Sequence, residues 1–435
     1  MDYLMDIIKP EYFIIITISM IIILSFIFNL ISIKTNIPSV LLLMALGVLI
    51  QYAYPGIKNN TYLENTLIVI GKAGLIMIVL EAALDLRLKR DKAGLIIKAF
   101  LMAFLGLVVS AFLIALAIQY FLESSFYNSL VFAVPLSIMS SAIIIPSVSG
   151  LTEYKKEFMI YESTFSDILG IILFQFLIIS EDFTSTTHIV FSVVSNIVIT
   201  VIVAVVTGYL SVWAMQKLTG HVKFFLVIAV LMLLYAIGSV FHLSSLILIL
   251  LFGLMLNNTD LFYRGILKNA INDEKIKPIF KEFYTITLES AFVLRTFFFV
   301  TFGITISLIS LVNFEVAIQS LVFTGILYLV RLVFLKIIYR NRSIMPELFI
   351  APRGLITVLL FFTIPANYFI KNFDQGVLLY VILATSFIMT IALVIRKGGK
   401  NISEILHDYD ELHDTIEKSF EQGHLELDKD DMEKK

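Results

Sequence analysis

Apolar runs long enough to cross a membrane recur from one end of this 435-residue chain to the other. A helix of about 20 such residues spans the hydrocarbon core of a bilayer, which is roughly 30 Å thick. Hydrophobic residues make up 59% of the sequence, charged residues 15%, and the mean hydropathy is +0.94. A soluble fold could not bury so much apolar surface, so we interpret the chain as an integral membrane protein. The runs are longer and more apolar than barrel strands, and they therefore predict an all-α fold.

The runs predict thirteen membrane-spanning helices. Their bounds are 11–33, 38–54, 64–86, 94–121, 126–150, 156–180, 187–216, 222–241, 243–257, 281–311, 314–339, 345–369 and 375–396. The first run has no small-residue cleavage site, so it is interpreted as a retained helix rather than a signal peptide. An odd number of spans is typical of two six-helix halves joined by one linking helix, with the halves inverted relative to each other.

Charged residues in the loops support this count. Loops after odd-numbered spans are rich in lysine and arginine. Loops after even-numbered spans contain almost none of these residues, with Lys58 and Lys371 as the exceptions. The positive-inside rule then places the N-terminus outside and the C-terminus in the cytoplasm. We expect a multi-pass protein of the bacterial plasma membrane.

The charge balance separates a tail from the membrane body. Residues 401–435 hold 12 acidic and 4 basic residues, whereas the rest of the chain holds 22 acidic and 28 basic. We therefore predict a transmembrane domain over 1–397 and an acidic cytoplasmic tail over 398–435. A solvated or disordered tail is the favoured interpretation. The alternative is an amphipathic helix that binds the core or a cytoplasmic regulator.

Two predicted spans carry helix-breaking residues at corresponding places. Span 5 reads VPLSIMSSAIIIPSVSG, with a serine pair and two prolines, and span 12 reads PELFIAPRGLITVLLFFTIP, with Pro-Arg-Gly inside it. Interrupted helices in corresponding repeat positions are typical of a transport site at the bilayer midplane. The alternative is that the prolines only kink the two helices, which the buried charges nearby make less favoured.

Two carboxylates lie in span 6, within the sequence YESTFSDILG. Asp167 is eleven residues into the span, and at 1.5 Å per residue it lies about 16 Å deep. Ser163, Ser166 and Asp167 share one helix face by their spacing, and Glu162 lies at the edge of that face. Oxygen ligands suit a small hard cation. We interpret Asp167 as a group that binds either a cation or a proton, rather than as a buried polar group with a structural role.

Other charges in the spans need partners. Arg331 of span 11 lies at a depth similar to that of Glu162, so we predict an ion pair between them, with inward snorkelling of Arg331 as the alternative. Arg353, at the break of span 12, would either neutralise carbonyl ends or line the empty site, and both roles stay open. Five further charges are interpreted as structural: Lys72, Glu81, Lys98, Glu289 and Arg295. The histidines lack metal-ligand spacing, and there are no cysteines to form disulfides or thiolate sites.

The sequence resembles the monovalent cation:proton antiporters, especially the sodium/proton exchangers. The stretches that carry the resemblance are GKAGLIMIVLEAALDLRLK, SSAIIIP, YESTFSDILG, and LVRLVFL followed by APRGLITV. They occur in the order that the family shows, and together the likeness covers about 1–397. Each motif is loose by itself, and the order and topology make the set specific.

The resemblance implies an elevator-type fold, with a core around spans 3–6 and 10–13 that moves against a scaffold of the remaining spans, and a homodimer in the lipid bilayer. It implies that Asp167 binds Na⁺ or H⁺. It also implies that Glu162 pairs with Arg331 and contributes to binding. The expected ligand set is completed by serines: Ser140, Ser141, Ser163 and Ser166. We expect no nucleic-acid partner and no cofactor. The only ions expected at the site are the transported Na⁺ and H⁺.

Two departures from the family pattern affect the expected chemistry. Ser166 stands where the family has asparagine or a second aspartate, and Ser140 stands where many exchangers have aspartate. With one titrating aspartate, electroneutral one-for-one exchange is the simpler prediction. Sodium is the first choice of cation, with Li⁺ or K⁺ as alternatives. A K⁺/H⁺ antiporter and a cation channel of related fold are the rival functions. The chain has no HExxH motif, and we do not expect an enzyme.

Overall fold

The computed structural model is all-helical, and its helices follow the predicted spans in order. It describes residues 10–35, 38–53, 61–88, 92–148, 150–180, 186–217, 223–240, 245–258, 273–305, 313–339, 343–371 and 373–398. The α-helices are α1 (Pro10–Thr35), α2 (Ser39–Ala53), α3 (Thr61–Asp85), α4 (Ala93–Leu122), α5 (Phe126–Ser137), α6 (Ser141–Ser147), α7 (Glu153–Ser180), α8 (Thr186–Lys217), α9 (Lys223–Val240), α10 (Ser245–Asn257), α11 (Asp273–Thr305), α12 (Phe314–Tyr339), α13 (Leu355–Phe362) and α14 (Gly376–Gly398). The acidic tail lies outside the described residues.

Length and composition qualify many of these helices as membrane spans. Within the described part of the chain, seven stretches are long and apolar enough to cross a bilayer, with α5 and α6 counted as one of them, and four shorter helices are strongly apolar. Large apolar side chains are exposed along α1 and α4, as expected for helix faces that contact lipid rather than water. The α-helices of the described residues therefore match the predicted thirteen spans when α5 and α6 are taken as halves of span 5.

The helices pack in two groups. The first group contains α1–α3 and α9–α11, and the second contains α4–α7 and α12–α14. Helix α8 packs chiefly against α10 of the first group. The groups meet where α3 contacts α13 and α7, and where α7 contacts α10. The site described below is built by the second group at this junction.

Glycines allow the closest helix crossing of the first group. A side chain at Gly47 of α2 would overlap the Val300 carbonyl of α11, and one at Gly303 of α11 would overlap the Met44 carbonyl of α2. Small residues let helix backbones approach in a bilayer, where packing rather than the hydrophobic effect holds helices together. The mutual glycine contacts therefore make α2 and α11 a tightly joined pair.

Asparagines at the end of α10 fix the end of α3. The Asn258 side chain donates to the Leu86 carbonyl at 2.8 Å and accepts from the Leu88 amide at 2.7 Å. Asn257 donates to the Leu84 carbonyl at 2.6 Å. These bonds satisfy carbonyl groups that have no partner within the last turn of a helix. They hold the charged end of α3 in place.

Span 12 is less helical than the sequence suggests. Its α-helix is confined to Leu355–Phe362, preceded by a turn over 345–349 and by a segment without regular secondary structure over 350–354, and a short 3-10 helix follows at Ala366–Tyr368. Proline at position 352 disfavours helical geometry at Ala351, which explains the non-helical approach. In span 5 the interruption falls at 138–140, between α5 and α6, and Pro135 and Pro146 lie inside the two half-helices rather than at the break.

The observed grouping differs from the predicted composition of the moving core. Spans 3 and 10 were assigned to the core together with spans 4–6 and 11–13, but their helices, α3 and α11, pack with α2 and α10. The reason is local: α11 crosses α2 at the glycine contact, and α3 packs against both α10 and α11. Which group moves stays a prediction.

Candidate cation site

The break in span 5 is held by hydrogen bonds from two other segments. The Met139 amide donates to the Ser166 hydroxyl of α7 at 2.9 Å, and the Ser140 amide donates to the Pro352 carbonyl at 3.0 Å. Each satisfies an amide or carbonyl that the interruption would otherwise leave unpaired in an apolar environment. The two broken spans therefore contact each other directly, through the backbone.

The crossing of the broken spans depends on a glycine. A Cβ atom added at Gly354 would lie 2.5 Å from the Ser140 hydroxyl oxygen and 2.8 Å from its Cβ. Beside it, the Arg353 amide donates to the Thr385 hydroxyl of α14 at 3.1 Å, which anchors the non-helical segment of span 12. Thus Gly354 permits the approach, and Thr385 fixes its position.

Asp167 lies against this crossing. Its side chain is almost fully buried, and its Oδ2 accepts a hydrogen bond from the Ser141 amide at 3.1 Å, at the start of α6. Its Oδ1 has no hydrogen-bond partner among the described residues. The amide end of a helix favours negative charge. A buried carboxylate with one bound and one unoccupied oxygen can accept a proton or a cation at that second oxygen.

Glu162 and Arg331 form a buried ion pair. Arg331 donates to the two carboxylate oxygens at 2.5 and 3.1 Å, and its Nε donates to the Glu347 carbonyl at 2.9 Å. Both side chains are at most 4% exposed. The two-point contact joins α7 to α12 and leaves little charge on Glu162 uncompensated.

Arg353 binds the carbonyl end of α5. Its guanidinium donates to the carbonyls of Leu136 at 3.1 Å, Ser137 at 3.2 Å and Ala351 at 2.7 Å. The carbonyl end of a helix carries partial negative charge, which a buried cation neutralises. Of the two roles considered for Arg353, this geometry supports the neutralisation of carbonyl ends.

The remaining serines of the predicted site occupy different positions. Ser163 is fully buried and donates to the Ile160 carbonyl at 3.2 Å, within its own helix. A cavity of about 20 Å³ is bordered by Ser166, Glu162 and the two arginines of the core. That volume holds about one water molecule. Asp167 does not line it, whereas its neighbour Ser166 does.

A second ion pair in the core was missed by the sequence analysis. The Lys155 ammonium donates to Glu347 Oε2 at 3.0 Å and to the Met345 carbonyl at 2.7 Å. The Glu347 side chain is fully buried, and that of Lys155 is 15% exposed. Because Glu347 also accepts from Arg331 through its backbone, this pair ties the entry of span 12 to α7. Its sequence signal was weak because both residues lie at span ends, where charges are common.

Charges of α3 and α11 meet outside the site. Arg295 donates to both oxygens of Glu81, at 3.0 and 2.9 Å, and the Tyr284 hydroxyl donates to Asp85. The sequence analysis treated Glu81 and Arg295 separately, although opposite charges in apolar spans could have suggested the pair. The other three intramembrane charges singled out are exposed: Lys72, Lys98 and Glu289.

Among the described residues, no group of three or more histidine, cysteine, aspartate or glutamate side chains could hold a metal ion. The oxygen atoms near the crossing are those of the Asp167 carboxylate, of serine side chains and of the backbone.

Two interrupted spans that cross beside a buried carboxylate, in an all-helical membrane protein, define the class of secondary transporters. The sequence pattern of the family described as sodium/hydrogen exchanger, transmembrane, matches residues 18–396. The chain belongs to this family of cation/proton antiporters, which confirms the resemblance drawn from its motifs. A search among curated proteins found no match.

Solved structures of an archaeal antiporter share the fold. The structure of the sodium proton antiporter MjNhaP1 from Methanocaldococcus jannaschii at pH 8 is 18% identical, with a TM-score of 0.61 over 89% of this chain and 95% of that chain. A structure of the same antiporter from an electron microscopy map is 17% identical, with a TM-score of 0.64 over 90% and 96% of the two chains. At these identities the likeness concerns the fold alone.

Proposed function

We propose that this chain exchanges Na⁺ for H⁺ across a membrane, one for one, and that Asp167 binds either ion in turn. The observation that carries the proposal is the Asp167 carboxylate, buried at the crossing of the broken spans with Oδ1 unpartnered among the described residues. A single carboxylate that holds one Na⁺ or one H⁺ moves the same charge in both directions, so the cycle is electroneutral.

The neighbouring groups have distinct proposed roles. The backbone amide of Ser141 anchors one carboxylate oxygen of Asp167, and the Ser141 hydroxyl would be a further oxygen ligand. Ser140 and Ser163 would supply further oxygen ligands when the site is loaded. Ser166 is already bound to the break, which favours a structural role over ligation. The Glu162–Arg331 pair supports the site by joining α7 to α12.

Movement of one helix group against the other would expose Asp167 to each side alternately. The packing into two groups supports this elevator scheme, because contacts within each group outnumber those between them. The second group carries Asp167, both broken spans and the two core ion pairs. We propose that this group moves, that the first group is the scaffold, and that two copies of the chain pair through their scaffolds. Regulation of cytoplasmic pH would follow from exchange in the plasma membrane.

Rival functions make different measurable predictions. A K⁺/H⁺ antiporter would use the same carboxylate and differ in ion preference. A channel would give single-channel currents and need no alternation at Asp167. The ion pair of Glu162 supports the electroneutral antiporter over a transporter with two titrating acids, because Arg331 compensates that charge.

Proton movement in inside-out vesicles tests the proposal. Addition of Na⁺, Li⁺ or K⁺ to acidified vesicles that contain the protein should release protons, with the strongest response to Na⁺. Asp167→Asn should abolish the response, because an amide binds neither ion as a carboxylate does. Glu153→Gln is the matched control: it neutralises an acid of the same helix whose side chain is 71% exposed, and it should leave the response intact.

Three outcomes would contradict the proposal. An unchanged response in Asp167→Asn would remove the assigned site. A rate that depends on membrane potential would contradict electroneutral exchange. A response to K⁺ alone would favour the K⁺/H⁺ antiporter.

A further inference from the structure

A cluster of four polar side chains joins α3 and α11 beside the proposed site. Arg295 donates through one nitrogen, Nη2, to both oxygens of Glu81, and Tyr284 donates to Asp85 one turn nearer the end of α3. The side chains of Arg295 and Glu81 are 18% and 14% exposed. The cluster is therefore partly open, in contrast to the closed Glu162–Arg331 pair.

The cluster acts on the site electrostatically. Helix α3, which carries Glu81, packs against α7, which carries Asp167, so a charge at Glu81 acts on the Asp167 carboxylate across this helix contact. Any change in the net charge at Glu81 therefore changes the affinity of Asp167 for a cation. In the structure Arg295 cancels that charge.

Arg295 is held more weakly than the other two buried arginines. All three guanidinium nitrogens of Arg331 and of Arg353 have acceptors. The described residues offer no partner to the buried Nε of Arg295, whose bonds both pass through Nη2. A guanidinium bound through a single nitrogen lacks the paired, side-on contact that makes such ion pairs strong. Of the three arginines, Arg295 therefore has the contact that is most easily broken.

We propose that Arg295 is a tethered counter-ion that sets the affinity for the transported cation by neutralising Glu81 beside Asp167. It acts through Glu81 and does not itself contact the ion, so it is a positioning and affinity-setting residue. The inference rests on the proposed function of Asp167. It assigns a role to a charge pair between α3 and α11 that neither the family match nor the site geometry requires.

Opposite shifts in the apparent KM for Na⁺ are the expected signature. Arg295→Gln leaves the Glu81 charge uncompensated and should lower KM by about 3- to 10-fold, the size expected for a charge interaction that the partly open surroundings of the pair screen strongly. Glu81→Gln leaves the cation of Arg295 uncompensated and should raise KM by a similar factor. The double variant should return KM to within about twofold of the parent, because the pair and the two amides are both neutral.

The test uses the full-length chain in proteoliposomes at alkaline pH, where protons compete least with Na⁺ at Asp167. Arg295→Lys keeps the charge and should keep KM near the parent value. Na⁺-dependent thermal stabilisation in detergent measures the same affinity without transport, and it also reports whether each variant folds.

The direction of the shifts decides the result. If both single variants raise KM or only lower the maximal rate, the pair is merely structural and the inference is overturned. An unchanged KM in Arg295→Gln overturns it as well. Failure of the proposed function looks different, because the parent protein would then show no Na⁺-dependent proton movement or would be insensitive to Asp167→Asn.

Discussion

At the scale of single residues, the buried charges of this protein differ in how completely they are paired. Arg331 and Arg353 have acceptors for every guanidinium nitrogen, and Glu162 has a cation at both oxygens. Asp167 retains one oxygen that the described residues leave unpartnered. The paired charges stabilise the fold, and the incompletely paired acid is the group to which we assign ion binding in the proposed function.

Removal of one partner of the core ion pair should destabilise the protein strongly. Arg331→Gln leaves the buried Glu162 without its cation, and we expect a loss of about 3–5 kcal/mol. Lys156→Gln is the control, since it breaks a surface contact with Glu153 at 3.7 Å between side chains 37% and 71% exposed. That change should stay within about 1 kcal/mol. Unfolding in detergent measures both variants, and equal losses would contradict a structural role of the pair.

At the scale of elements, the site depends on two segments that stop being helical at the same place. A backbone hydrogen bond joins the interruption at 138–140 to the non-helical segment at 350–354. Helix α7 adds two acceptors: the Ser166 hydroxyl accepts from the Met139 amide, and the Asp167 carboxylate accepts from the Ser141 amide. Gly354 allows the segments to approach. The amides of Met139, Ser140 and Ser141 at the break thereby have partners within the protein.

A methyl group at this crossing should separate the segments. Gly354→Ala places Cβ 2.8 Å from Ser140 Cβ, and overpacking of this kind costs about 1–3 kcal/mol. Gly325→Ala on α12 is the control: its Cβ would meet no atom within 4 Å, and it should stabilise the helix by about 0.5–1 kcal/mol.

Thermal unfolding of the two glycine variants checks this prediction. The added change Ser140→Gly removes the clashing atoms and should restore much of the stability lost in Gly354→Ala. A Gly354→Ala variant as stable as Gly325→Ala would show that the crossing tolerates a side chain.

At the scale of the whole molecule, two packed groups share a small contact region. The groups meet through α3, α7, α10 and α13, and the Phe302 ring of α11 contacts the Phe362 ring of α13 across the boundary, with centroids 6.0 Å apart. Within the first group, Phe224 and Phe283 make a similar contact, with centroids 6.1 Å apart. A cross-link at the first pair would prevent movement between the groups, whereas a cross-link at the second pair would restrict only the first group.

A cross-link between the groups should stop transport. The chain has no cysteine, so cysteines at 302 and 362 can be joined specifically by a short bifunctional thiol reagent. Exchange should cease after cross-linking, while each single cysteine variant treated in the same way stays active. A cross-link between 224 and 283, inside one group, should leave exchange unaffected. Continued exchange by the protein linked at 302 and 362 would contradict the elevator scheme.

Sequence reasoning located most of the helices because hydropathy is a local property. The predicted bounds lie close to those observed for α1–α4, for α5 and α6 taken together, and for α7–α10, α12 and α14. Errors concentrate at the start of α11, which begins earlier than predicted, and in span 12, where the helix is shorter than predicted. Proline and glycine signal that a helix is interrupted, but the position of the break depends on which neighbours satisfy the freed backbone groups.

The amino-acid sequence alone determined the class of fold, the broken spans and the identity of the buried acid, because each follows from the cost of polar groups in hydrocarbon. The tertiary structure decided which charges meet: Glu81 with Arg295, separated by 214 residues, and Lys155 with Glu347, separated by 192. It also decided that α3 and α11 belong to one packed group. These facts depend on helix packing in three dimensions, where glycines set how closely helices approach, and no local pattern along the chain encodes that arrangement.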